Sequence, residues 1–326
     1  MGILKSKVDV IIPVCHPGKR LFLLLEKLAE QTVLPEKVYL LNVETGWKED
    51  SCEELQNLIY KYFRKHKLFG HKLPLKLEII PVKEKYYDEG GTRNIGAKRS
   101  KSPFLLFMKQ NAVPSDSKLL EELLWSMESG AGMAFARHVT KQNAGVLRTY
   151  TTLYDYPSKS YTRTEKDEIK YGIRTYFCSN ACAMYRRDIF TQLGGFTKKV
   201  AACEDILFAA RMLKEGGTLA YCAEAKVYYM ENQDWMAQLR RKFDRGVVHA
   251  EHRRIFGAGG AERDGMQYGK QVVSYLINQR YYIELLDFIG ENLFKSVGYS
   301  LGRRYQWLKK EWILQLTANK AYWTGK

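Results

Sequence analysis

Apolar residues fall along the chain in short, bounded runs whose spacing alternates between two periods. Val8 to Val14 (VDVIIPV) is a short β-branched run that predicts a strand buried in a parallel sheet, with Pro13 suited to its terminus. Leu21, Leu24, Leu25 and Leu28 then line one face of a predicted helix over Arg20 to Gln31. Lys37 to Leu41 reads as a second strand, Glu53 to Phe63 as a second helix and Leu77 to Val82 as a third strand. Thr92 to Ser100 looks helical after the Gly90–Gly91 turn, Phe104 to Met108 is another buried strand, and Ser117 to Ser129 another helix. This strand–helix alternation predicts right-handed βαβ units and an α/β, doubly wound, mostly parallel sheet.

Met133 to Ala136 and Ala181 to Tyr185 are predicted strands flanking a long middle region. Asp205 to Glu215 is a predicted helix closed by Gly216–Gly217, and Leu219 to Tyr221 and Lys226 to Tyr229 read as two short strands. After about Asp234 the pattern turns helical, which sets a boundary between residues 1–235 and a basic helical extension, 236–326. Within that extension Val297, Leu301, Tyr305, Leu308, Trp312 and Leu316 are spaced as one face of a helix, with Arg303, Lys309 and Lys310 largely off it. Such a helix either packs on its own protein or a second copy, or lies in an anionic membrane interface.

Charge narrows the partners. The formal net charge is +16, and residues 236–326 hold sixteen Lys/Arg against eight Asp/Glu. That balance favours phosphorylated small molecules, anionic lipid or nucleic acid. Zinc-finger spacing, a basic-leucine pattern and RNA-binding aromatics are all missing, so nucleic acid is not expected. The six cysteines are scattered without zinc spacing, which fits a reducing compartment. The opening residues run straight into the first strand and no apolar run reaches about 18 residues, so a cytoplasmic chain that meets a membrane only from its surface is expected.

In an open parallel sheet, ligands bind beyond the carboxyl ends of the strands. The residues there are Cys15, His16 and Pro17 after the first strand, Asn42 and Glu44 after the second, Asp88 and Gly90-Gly91-Thr92-Arg93-Asn94 after the third, and Lys109, Gln110 and Asn111 after the fourth. A carboxylate such as Glu44 can accept from a nucleobase imide or a ribose. A glycine pair opening a helix can free N–H groups for an anion, and Arg93 can bind a diphosphate. Equally, the glycines can be only a turn and Arg93 a solvated charge.

Taken together, VDVIIPVCHPGKRL, YLLNVET, YYDEGGTRNIGAKRS, FLLFMKQNAVPSD, FCSNACAMYRRDIFTQLGGF and CEDILFAARMLKEG resemble, in order, the segments of bacterial family 2 glycosyltransferases, and the rhamnosyltransferase-like group most nearly. The likeness spans roughly residues 7 to 255. It implies the GT-A fold with a helical C-terminal extension. It places Glu44 at the nucleobase, Asp88 and Arg93 in the nucleotide-binding segment, and Pro13 beside them in the donor-binding set. Gln110 and Asn111 fall where the family holds a divalent cation, Mn²⁺ or Mg²⁺, on the sugar diphosphate. Glu204 and Asp205 form the catalytic Glu-Asp motif, with the aspartate as base, and Phe177 to Tyr185 line the donor and acceptor pocket.

The chain departs from that pattern twice. The usual metal-binding Asp is Asn111, a neutral and weaker ligand. The usual histidine after the late strand is missing from Val227-Tyr228-Tyr229-Met230-Glu231-Asn232. Three readings follow: Glu231 restores the charge and joins Asn111 at the metal, Lys109 offsets the diphosphate without metal, or the site is degenerate. His249 and His252 read as surface-helix residues, and Arg240, Arg241 and Arg245 as either a basic acceptor-side face or a solvated one.

The expected function is therefore an inverting glycosyltransferase. It moves rhamnose or another hexose from a nucleoside-diphosphate donor to a glycan or lipid-linked acceptor in cell-surface polysaccharide synthesis. Homodimerisation and membrane-surface contact through the C-terminal helix accompany that expectation. The alternative is a non-catalytic nucleotide-sugar-binding or scaffold protein.

Overall fold

The computed structural model describes residues 7–44, 51–66, 68–71, 73–141, 144–229, 234–257 and 260–324. Its strands are β1 (Val8–Cys15), β2 (Lys37–Glu44), β3 (Leu77–Lys83), β4 (Phe104–Met108), β5 (Val113–Pro114), β6 (Met133–Val139), β7 (Tyr161–Arg163), β8 (Cys182–Arg186) and β9 (Leu219–Tyr228). They join in one sheet in the order β3-β2-β1-β4-β8-β6-β9-β5, with β7 also paired to β9.

Helices α1 (Lys19–Ala29), α2 (Ser51–Lys65) and α3 (Glu89–Arg99) cross between the parallel strands β1, β2, β3 and β4. The order runs outward from β1 to β3 and then jumps back to β4 on β1's other side. That reversal leaves a crevice at the carboxyl ends of β1 and β4, the usual ligand position in such sheets. Beyond β4 the sheet is mixed. β8 runs antiparallel to both β4 and β6, β6 and β9 are parallel, and β5 and β7 are antiparallel to β9.

Strand periodicity sorts the core into two layers. Val8, Val10, Ile12 and Val14 point to one face with Leu21, Leu24, Leu25 and Leu28 of α1 and with α4 (Leu119–Glu128). Each of those leucines is fully buried, worth about 1.5–3 kcal/mol. Ile11, Leu41 and Phe107 point to the other face. There Tyr185, Phe190, Phe196 and Phe208 pack ring on ring around Phe107 and α8 (Glu204–Lys214).

The middle region supplies α5 (Val146–Asp155), α6 (Glu168–Tyr171) and α7 (Arg187–Gln192). After β9 come α9 (Trp235–Glu251), α10 (Arg253–Phe256), α11 (Gly260–Asn278), α12 (Tyr282–Arg303), α13 (Lys310–Leu316) and α14 (Lys320–Thr324). Phe243, Val247 and Val248 of α9, Ile313 of α13, and Tyr322 and Trp323 of α14 complete the aromatic layer. α9, α13 and α14 thus share a core with the sheet, while Val272 and Leu276 of α11 and Phe288 of α12 form a smaller cluster of their own.

Several expectations change here. The two short late strands are one strand, β9, whose pairing with β6 jumps from Ala136–Cys222 to Arg137–Lys226. A bulge accommodates the intervening residues without ending the strand. The single C-terminal stripe is broken as well. α12 ends at Arg303, a short turn over Tyr305–Trp307 follows, and α13 starts afresh at Lys310. Leu301, Leu308 and Leu316 bend inward onto the core, while Trp312 stays exposed. His249 is buried rather than on a surface: it stacks on Phe256 and meets the Tyr299 hydroxyl at 3.1 Å.

Candidate active site

The third-strand segment builds a scaffold. Asp88 caps α3: its Oδ2 accepts from the Gly91 N–H at 2.6 Å, so α3 begins at Glu89, earlier than its apolar spacing predicts. The anion at this helix start is therefore the chain's own carboxylate. The glycine pair serves packing. A methyl at Gly91 would strike Asp88 Oδ2 at 2.6 Å, and one at Gly90 the Thr197 carbonyl oxygen at 2.5 Å.

From this helix, contacts run to the loop before α8. Asp88 Oδ1 accepts from the Lys199 N–H at 3.2 Å. The Asn94 side chain donates to the Phe196 carbonyl and accepts from its N–H, each at 2.9 Å. Arg93 is 1% exposed, and its Nη1 donates to Glu204 Oε1 at 2.9 Å and to the Glu89 carbonyl at 3.1 Å. A guanidinium so enclosed is not presented to solvent; it faces Glu204.

Glu204 and Asp205 sit at the start of α8 and differ in setting. Glu204 is 2% exposed and accepts from Arg93 and, at 3.1 Å, from Asn180 Nδ2. Burial, then the Glu89 charge, pushes its carboxyl well up, to about 8. Glu89 lies below the usual carboxylate range: burial raises it, but Lys109 and Arg93 outweigh that. Asp205 is half-buried, with Oδ2 accepting from the Asn180 backbone N–H at 3.0 Å and Oδ1 from the Ile206 N–H at 2.9 Å. Asn180 is the hub that residue-type reasoning passed over. It touches both acids and accepts from Tyr185 Oη at 2.7 Å. Its signal, an Asn inside an otherwise apolar segment, was too common to single out.

The residue before the acids, Cys203, adopts φ +61°, the left-handed region that favours glycine. Its thiol accepts a hydrogen bond from Arg245 of α9, which ties the C-terminal helices to this turn. Burial pushes the thiol up to about 11.

The second group lies at the crevice. Gln110 is committed: its Nε2 donates to the Cys15 carbonyl at 2.7 Å and its Oε1 accepts from the Cys15 N–H at 3.0 Å, joining the ends of β1 and β4. Lys109 donates to Tyr229 Oη at 3.3 Å and lies 5.6 Å from that ring's centre. His138, buried beside it and stacked on Tyr156, is pushed down to about 3 by burial and then by Lys109, so it stays neutral. Pro13 lies in β1 opposite Leu41. Glu44 closes β2, with its side chain outside the described residues, and Glu231 lies outside them entirely.

A cation needs a charged donor set. Asn111 is neutral, Gln110 is engaged by Cys15, and Lys109 brings a positive charge to the same edge. Among the described residues no group of three His, Cys, Asp or Glu is gathered. The described side chains by themselves do not fit a carboxylate-bound divalent ion.

The family model described as glycosyl transferase family 2 matches residues 9–194. The O-antigen chain rhamnosyltransferase RfbN of Salmonella typhimurium is 29% identical over 325 residues, covering 98% of this chain and 96% of the relative. WbaN of Salmonella anatum, also named an O-antigen chain rhamnosyltransferase, is 32% identical over 253 residues, 76% of this chain and 79% of the relative. Among solved structures, a mannosyltransferase from Pyrobaculum calidifontis in complex with GDP-Man and Mn²⁺ superposes with TM-score 0.59 at 13% identity, covering 92% of this chain and 86% of that one. Residues 1–349 of S. aureus TarS in complex with UDP-GlcNAc give TM-score 0.53 at 15% identity, covering 97% and 83%. The chain is a glycosyltransferase with the GT-A fold, and it belongs to glycosyl transferase family 2.

Proposed function

We propose that the chain moves rhamnose, as befits its likeness to two O-antigen chain rhamnosyltransferases, from a nucleoside-diphosphate donor to a glycan or lipid-linked acceptor of a cell-surface polysaccharide, with inversion. The observation that carries this reading is the setting of Asp205: held by two backbone N–H groups, partly open, and backed by a buried Glu204–Arg93 pair. The acceptor hydroxyl gives its proton to Asp205 as its oxygen bonds the anomeric carbon. The anomeric C–O bond breaks on the other side, and the nucleoside diphosphate leaves with the electron pair. Lys109 offsets part of that growing charge. Glu204, Arg93 and Asn180 are positioning residues that fix the turn. Glu44, Pro13, Asp88 and the crevice between β1 and β4 form the donor side.

The 1–235 segment is the catalytic unit in this reading, and 236–326 is an extension that completes its core. The protein works at the inner face of the cell membrane and makes contact through α12. Thermal shift against a panel of nucleotide sugars, with and without Mn²⁺, identifies the donor and reads the cation dependence directly. Asp205→Asn should then lower transfer by about 10²–10⁴-fold while leaving the donor's thermal shift in place. A variant that transfers at the parent rate removes Asp205 from the chemistry.

A further inference from the structure

The Asp205 turn borders a second space. A cavity of about 990 Å³ opens between residues 173–177 on one side and α9, α11 and α12 on the other. That is at the upper end of ligand pockets, roughly 300–1,000 Å³. Ile206, next to Asp205, and Phe177, three residues before Asn180, form part of its wall, whereas the crevice residues Cys15, Lys109, Gln110 and Asn111 do not. The cavity is thus walled by other residues than the β1–β4 crevice and borders the Asp205 turn through Ile206.

Its charge is one-sided. Among the described residues, seven Lys and Arg line it, against one acid, Asp155. Asp155 answers Arg174 at 3.0 Å, and Glu291 of α12 answers Lys295. Lys242, Arg245, Arg253 and Arg303 come from three helices and, with Arg304 just past the end of α12, line the same space. The field they set up is felt inside: His249, on the cavity wall, is pushed down to about 3 by burial and then by Arg245 and Arg303. A pocket for a neutral glycan has no use for so many cations, because each costs desolvation when the pocket fills. A phosphate repays that cost through charge-assisted, fork-shaped hydrogen bonds.

We propose that this cavity seats a phosphate or diphosphate group carried by the acceptor, while the acceptor's sugar hydroxyl reaches Asp205. The assignment rests on Asp205 being the base. The donor occupies the crevice at β1 and β4, so an anion in the α9–α12 cavity arrives with the other substrate.

The test is calorimetric titration of inorganic pyrophosphate into the full chain at fixed ionic strength. It is run alone and after saturation with the nucleoside diphosphate found by thermal shift. Pyrophosphate should bind in both states. The Lys242→Ala/Arg253→Ala double variant should raise its Kd about tenfold or more, while Lys65→Ala/Lys101→Ala, two exposed cations elsewhere, should leave it unchanged. Circular dichroism checks that both variants fold. An unchanged Kd in the cavity variant, an equal loss in the control, or displacement of pyrophosphate by the nucleotide each overturns the proposal. Dodecyl diphosphate separates the sources: tighter binding than pyrophosphate marks a lipid-borne acceptor, equal binding a water-soluble one. If every nucleotide sugar fails to shift Tm while pyrophosphate still binds the cavity, it is the donor reading that falls.

Discussion

Arg93 shows how a side chain's role turns on its burial. Beside a glycine pair it looks like a diphosphate ligand. Enclosed to 1% exposure, it donates to Glu204 and to the Glu89 carbonyl inside the core and helps hold the Glu89 carboxyl below the usual carboxylate range. Removing one partner of such a pair strands the other charge. Arg93→Met should therefore destabilise the fold by about 3–5 kcal/mol, read as a shift of the urea midpoint. Glu204→Gln keeps an acceptor for Arg93 and mimics the neutral form that burial already favours below about pH 8, so it should be far milder. If both variants unfold at the parental midpoint, the pair is not structural. Cys203 tests the adjoining strain: Cys203→Gly gives up the thiol's contact with Arg245 but suits φ +61°, so it should fold better than Cys203→Val.

At the scale of elements, α9 and α12 meet through glycine. Added methyls at Gly246, Gly298 and Gly302 would overlap the backbone of Tyr299, Leu239 and Phe243 respectively. Gly302→Ala should cost about 1–3 kcal/mol through overpacking, measured by chemical denaturation. The tail is fastened to the same helix by Asp244. Its Oδ1 accepts from the Thr317 hydroxyl and its Oδ2 from the Ala318 and Asn319 N–H groups. Burial pushes this carboxyl up to about 7, against the pull of those three donors. A raised folded-state value means the contribution is complete below the unfolded value near 4 and lost as pH rises through about 7. The chain should lose stability over that window, and Asp244→Asn should flatten the loss. A parallel pH profile in the variant would assign it to other groups.

Across the whole molecule, the apolar stripe that faces out lies upstream of the predicted one. On α12, Ile283 is 77% exposed, Leu286 71% and Leu293 61%, with Ile289 on the same side. Among the described residues no helix is long and apolar enough to cross a membrane. A net charge of +16 and this face together suit an anionic lipid surface. Vesicles containing phosphatidylglycerol should co-sediment the protein, phosphatidylcholine vesicles should not, and Ile283→Glu/Leu286→Glu should abolish the effect. Binding that survives the double variant removes α12 from the contact. A dimer by ultracentrifugation that the same variant dissociates would instead mark the face as an interface between copies.

Local periodicity alone was enough to determine the βαβ half of the fold, because β1 to β4 and α1 to α3 each bury a face that repeats every two or 3.6 residues. Ordered motifs carried the family, since short segments in a fixed sequence survive where overall identity does not. Roles within the site were a different matter. Asp88, Arg93 and Glu204 are polar residues whose partners lie about a hundred positions away, and no local pattern records that distance. The same holds for the break in the tail: a stripe of apolar spacing is equally satisfied by one long helix or by two short ones folded back on a core. Only the tertiary structure decided that α12 ends at Arg303, that Glu204 is enclosed while Asp205 is partly open, and that seven cations from separate segments line one cavity. Spacing along the chain encodes which side of an element is buried; what that side meets is settled by packing.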